Sequence, residues 1–99
     1  MAEYLIESRH TARACVWATR EVLRQGPESL AQYQWGCKDG THVGWSIVEA
    51  DTKFDVLATV PQVLRSQTRI VQLNRFTPDE VAAFHEGELV TVADPAVTR

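Results

Sequence analysis

The 99-residue chain has no basic excess: 10 Lys and Arg stand against 13 Asp and Glu, a formal net charge of −3. A nucleic-acid or anionic-membrane surface needs a basic patch, so neither partner is expected. No apolar run approaches the roughly 20 residues of a membrane helix. The N-terminal Met-Ala-Glu-Tyr-Leu-Ile lacks a basic segment and a long apolar stretch, so no secretory signal is expected there. Cysteine is scarce, with only Cys15 and Cys37. Without a secretory signal the expected compartment is the cytoplasm, where thiols stay reduced as free groups or metal ligands. Phosphate-binding P-loops, dinucleotide fingerprints, HExxH and GxSxG motifs are missing, and with them the commonest signatures of nucleotide, zincin and hydrolase chemistry. There is no internal repeat and no low-complexity segment.

What is present is an ordinary folding composition: 44% hydrophobic and 23% charged residues. A chain this short forms one domain and buries only about two-thirds of its unfolded surface. A second copy is therefore the expected source of extra cover.

The pattern alternates between element types. Tyr4 to Arg9 reads as a strand. Thr11 is a fair N-cap for a helix from Ala12 to Gln25, with Cys15, Val16, Thr19, Val22 and Leu23 at helical spacing. Gly26-Pro27 stops it. Gln32 to Cys37 is a short strand, Asp39-Gly40 a two-residue hairpin turn, and Thr41 to Ala50 the partner strand. Asp51 caps a second helix carrying Phe54, Leu57 and Ala58, and Pro61 interrupts it. Arg69 to Asn74 is a fourth strand. Thr77-Pro78-Asp79-Glu80 opens a helix with a capping box, which Gly87 ends. The domain is expected over 1–87, with a peripheral tail over 88–99.

The order β-α-β-β-α-β predicts an α+β fold, the ferredoxin-like sandwich. Its four-stranded antiparallel sheet has order 4-1-3-2 and carries helices on one face. The C-terminal helix is an addition. The uncovered sheet face predicts a homodimer, a dimeric α+β barrel.

A two-residue turn at Asp39-Gly40 opposes Cys37 to His42, with Cβ atoms about 4.5–5.5 Å apart. In the 4-1-3-2 order His10, at the end of strand one, lies beside the start of strand three. His10, Cys37 and His42 thus converge at one end of the sheet, and Cys15 in the first helical turn reaches the same corner. Imidazole and thiolate suit Zn, Ni or Cu. The plain alternative for each residue is structural: a strand-end cysteine is often a small buried hydrophobe, and a histidine beside a turn is often only solvated.

The same register puts Tyr33, Trp35, Cys37, His42, Gly44 and Ser46 on one face. It puts Gln34, Gly36, Val43, Trp45 and Ile47 on the other, which is the expected helix-packed side. Tyr33, Trp35 and Trp45 are candidates to stack a flat ligand, with aromatic core packing as the alternative. A rival enzymatic reading places a pocket between sheet and helices, lined by Trp45, Glu7 and Glu49. For Glu7 and Glu49 the favoured role is ion pairing, with Arg65 or Arg69 available. His85 reads as structural.

Several segments carry a family resemblance: Tyr4-Leu5-Ile6-Glu7, His10-Thr11, Cys15, Trp35-Gly36-Cys37, Gly40-Thr41-His42, Gly44-Trp45, Val48-Glu49-Ala50, Asn74 to Pro78, and Phe84-His85. With these the chain resembles a domain-of-unknown-function family of small bacterial proteins in the dimeric α+β-barrel superfamily, a family that includes a nickel-binding protein. The resemblance covers Tyr4 to about Gly87. It implies a dimer and admits nickel as the metal. The superfamily also contains cofactor-free monooxygenases, haem-degrading enzymes, lactone isomerases and plain binding proteins, so it admits a cofactor-light monooxygenase or isomerase, or an accessory subunit, as alternatives.

Overall fold

The structure, a computed structural model, describes residues 1–84. His85, the helix stop at Gly87 and the tail over 88–99 lie outside the described residues. No helix among the described residues is long and apolar enough to cross a membrane.

The fold is α+β. Strand β1 (Ala2–Arg9) leads through a 3-10 turn (Ala12–Ala14) into helix α1 (Cys15–Leu23). Helix α2 (Pro27–Gln32) and the two-residue strand β2 (Gln34–Trp35) follow. Strand β3 (Val43–Ala50) is succeeded by helix α3 (Lys53–Leu57), a 3-10 stretch (Gln62–Gln67), strand β4 (Thr68–Leu73) and helix α4 (Pro78–Ala83). The four strands form one antiparallel sheet in order β2-β3-β1-β4, which is β4-β1-β3-β2 from the opposite edge.

Local chemistry explains most boundaries. The Thr11 side chain accepts the Ala14 N–H at 3.2 Å and starts the 3-10 turn, so the regular helix begins only at Cys15 rather than at Ala12. Gly26-Pro27 does end the first helix, but Pro27 also sits at the first position of α2, where its missing N–H is harmless. Thr52, not Asp51, caps α3 by accepting the Asp55 N–H at 3.1 Å. α3 ends before Pro61, which opens the 3-10 stretch instead of kinking a longer helix. At α4 the capping box forms in both directions: Glu80 N–H donates to Thr77 Oγ1 at 3.1 Å, and Thr77 N–H donates to Glu80 Oε1 at 2.7 Å.

The core lies on one side of the sheet. Tyr4 and Ile6 of β1 pack against Ala18 and Val22 of α1, Tyr33, Val56 of α3, Val60 and Leu64. Burying each such aliphatic side chain contributes about 1.5–3 kcal/mol. Val56, rather than the exposed Phe54, is the residue α3 turns inward. On α1 the inward pair is Ala18 and Val22, while Val16 and Leu23 stay exposed.

Register fixes the faces. Tyr4, Ile6 and Ser8 pair with Val48, Ser46 and Gly44 on β3, and Trp35 pairs with Gly44. These positions share the helix-covered side. Leu5, Glu7, Val43, Trp45, Ile47, Val71 and Leu73 occupy the other side. This reverses the expected assignment of Val43, Trp45 and Ile47. The small residues Gly44 and Ser46 leave room for Trp35 beneath the helices, and the larger apolar side chains of β3 point away; Ile47 is 59% exposed. A Cβ at Gly44 would lie only 2.7 Å from Trp35 Cζ3, a measure of how closely that ring covers the strand.

Candidate metal centre

Asp39-Gly40 does not make the expected two-residue turn. Cys37–Asp39 form a 3-10 turn after Gly36, and only Gly40 takes positive φ, at +86°. The loop is closed by Gly36 N–H donating to the Val43 carbonyl at 3.0 Å and by Thr41 N–H donating to the Gly36 carbonyl at 2.9 Å. A 3-10 turn accommodates Cys37 at its start, and its last residue, Asp39, precedes the left-handed glycine.

The end of β1 is tied to the same loop. His10 N–H donates to the His42 carbonyl at 3.1 Å, one step beyond the Arg9–Val43 pair. Cys15 enters from the other side, because the Thr11-capped 3-10 turn delivers the first residue of α1 five positions after His10.

The result is a four-donor cluster. One ligand atom from each of His10, Cys15, Cys37 and His42 lies within 4.8 Å of all the others. His10 Nε2 is 3.2 Å from Cys37 Sγ. The two imidazole rings stand 5.5 Å apart, edge to face. The Trp35 ring, centred 6.0 Å from His10, forms one wall. Both thiols are free and half-buried. They border a cleft of about 390 Å³ lined by Cys15, Thr19, Trp35, Cys37 and Lys38.

Burial shapes the electrostatics. Desolvation, aided by the neighbouring His42, lowers the pKa of His10, which favours the neutral ring that a metal binds. Burial raises the Cys37 thiol, and the Cys15 thiol beside it adds to the rise, whereas its own backbone opposes it. His42 Nδ1 is buried with no hydrogen-bond partner among the described residues. An uncompensated buried nitrogen costs free energy, and a metal ion is one group that would use its lone pair.

A tetrahedral ion with bonds of about 2.0–2.3 Å holds its donors about 3.3–3.8 Å apart. The four atoms lie within 4.8 Å of one another, and one pair, His10 Nε2 and Cys37 Sγ, is already at 3.2 Å. The set suits a divalent ion: two thiolates balance its charge and two imidazoles complete the shell. Three of these donors follow from the hairpin and strand order, and the fourth, Cys15, from the helix start.

The remaining candidates do not form one site. Tyr33 and Trp35 stack on each other, with centroids 5.5 Å apart, and Tyr33 is buried in the core. Trp45 lies on the opposite face, beside Gly36. The pocket expected between sheet and helices from Trp45, Glu7 and Glu49 is therefore not assembled: all three point away from the helices. Glu49 pairs across the strands with Glu3, at the far end of the sheet from the cysteines. Glu7 is an ion-pair residue. Its side chain is only 10% exposed and bonds Arg69 at 3.0 Å and Arg9 at 2.9 Å. The Arg69 hydrogen bond, followed by the charges of Arg69 and Arg9, holds its carboxyl below the ordinary glutamate range despite burial.

Comparison with family models, with curated proteins and with solved structures gives no match to this chain.

Proposed function

We propose that this protein binds one transition-metal ion per chain through His10, Cys15, Cys37 and His42. One observation carries the proposal: four soft or borderline donors from the end of β1, the start of α1 and the loop before β3 lie within 4.8 Å of one another. Adjacent residues on one element meet easily by accident; donors from three separate elements do so rarely. A donor set of two imidazoles and two thiols favours zinc, and the family resemblance adds nickel as the ion to compare with it.

The subunit is a ferredoxin-like domain acting in the cytoplasm as a homodimer. The outer sheet face carries Leu5, Ile47, Val71 and Leu73, and the exposure of Ile47, at 59%, supports the dimer. The reading is one of metal binding rather than turnover, because the paired Glu7 and the separated Glu49 offer no acid–base couple.

The deciding experiment is elemental analysis of protein purified without an affinity tag, followed by titration of the stripped protein with zinc and with nickel. One equivalent bound, lost when Cys37 is replaced by serine, is the expected outcome. A Cys37→Ser protein that binds both ions as tightly as the parent overturns it.

A further inference from the structure

We propose that Cys15 and Cys37 form a reversible dithiol–disulfide couple whose oxidation expels the metal from the site. The inference rests on the metal reading for its consequence, but not for the bond itself.

The two sulfurs are already neighbours, within 4.8 Å, although their residues open different elements, α1 and the 3-10 turn after β2. They are the chain's only cysteines, so neither has another intramolecular partner. Both are half-buried and both border the 390 Å³ cleft, which gives a peroxide-sized oxidant a route to them. His10 Nε2 lies 3.2 Å from Cys37 Sγ, so the couple sits against a polar neighbour inside the cleft rather than in a sealed apolar core.

With hydrogen peroxide as oxidant the balance is complete. The Cys37 sulfur attacks one peroxide oxygen, the O–O bond breaks, and a sulfenic acid and one water form. The Cys15 sulfur then displaces the sulfenyl oxygen as a second water, and the S–S bond forms. The two cysteines give up two electrons and two protons, and peroxide becomes two waters. In the metal-loaded protein the sulfurs start as thiolates, so the two protons come from solvent and the divalent ion leaves. The reason it leaves is coordinative: a disulfide sulfur is a poor ligand, and two imidazoles alone do not complete the shell. Conversely, a bound ion engages both sulfurs and shields them from oxidant, because linkage is reciprocal.

The test uses the full chain, stripped of metal or loaded with zinc, exposed to hydrogen peroxide. The readouts are intact mass, thiol alkylation and a chromophoric zinc chelator. The stripped protein should lose about 2 Da without becoming a covalent dimer, yield a cross-linked peptide joining Cys15 to Cys37, and recover on treatment with a dithiol reductant. The zinc-loaded protein should react more slowly and release one zinc per bond formed. Cys15→Ser protein, with folding checked by circular dichroism, should stop at Cys37 sulfenic acid or form intermolecular bonds. Folded wild-type protein that accumulates sulfinic acid at each cysteine, with no internal bond, overturns the couple even if zinc binds normally. An internal bond in protein that takes up neither zinc nor nickel sustains the couple and overturns the metal reading instead.

Discussion

His10 Nε2 and Cys37 Sγ lie 3.2 Å apart, although 27 residues separate them in the chain. The contact is produced by backbone. The His10 N–H bond to the His42 carbonyl and the Gly36 N–H bond to the Val43 carbonyl hold the end of β1 and the loop before β3 together. Ligands fixed by backbone need little ordering when an ion arrives, which favours affinity.

Replacing either thiol should therefore remove most of that affinity. Cys37→Ser and Cys15→Ser are each expected to weaken zinc binding by about 100-fold or more, as loss of a directly coordinating sulfur exceeds the 10–100-fold of an outer partner. Trp45→Phe, on the opposite face, should change little. Binding should also weaken as pH falls, because each thiol must give up its proton to the solvent before it can ligate. Calorimetric titration at two pH values reads both effects.

Glu7 makes stability depend on acid. Its folded pKa lies below the ordinary value of about 4.3, so folding is favoured while the unfolded carboxylate would be ionised, above that value. The contribution should be complete at neutral pH and disappear as pH falls from the ordinary value through the lower folded one. Both arginines are largely exposed, so solvent screening limits the effect to about 1 kcal/mol. Urea denaturation across the acid range should show the decline in the parent and a flatter profile in Glu7→Gln.

Gly44 is the position where a single methyl group should be felt. A Cβ there meets three atoms of the Trp35 ring, the nearest at 2.7 Å. Gly44→Ala should cost about 1–3 kcal/mol and shift the tryptophan fluorescence, as the ring moves off the strand. Since Trp35 also walls His10, zinc affinity should fall with it.

The exposed Ile47 on the outer sheet face predicts association. Light scattering at micromolar concentration should return twice the 11.1 kDa chain mass. Ile47→Lys, placing a charge on the exposed centre of that face, should return the monomer while leaving the circular dichroism spectrum unchanged.

Much of this was legible in the residues, and the failures have specific causes. The pairing of Gln34 with Trp45 and Trp35 with Gly44 has the register that a turn at Asp39-Gly40 demands, even though the turn itself is a longer loop. That is why Cys37 and His42 still meet. The faces differ from the expected ones because Val43, Trp45 and Ile47, the larger apolar side chains of β3, stand on the side away from the helices. In the fold the helix-side positions belong to Gly44 and Ser46, whose smallness admits Trp35. Helix α2 was hidden because Pro27 reads equally as a stop and as a first helical residue. Cys15 was visible only as a possibility: its exact place depends on the Thr11 cap, which converts the first turn to 3-10 and sets where α1 begins.

All four donors lie between residues 10 and 42. An occupied centre would fasten the end of β1, the head of α1 and the loop before β3 into one cooperative unit, and would leave β4 and α4 without a direct tie. Backbone amides should then divide by region in hydrogen exchange: zinc should slow exchange over 10–43 far more than over 68–83. The metal would act as a rivet for one half of the domain, and the other half would keep its own rate of opening.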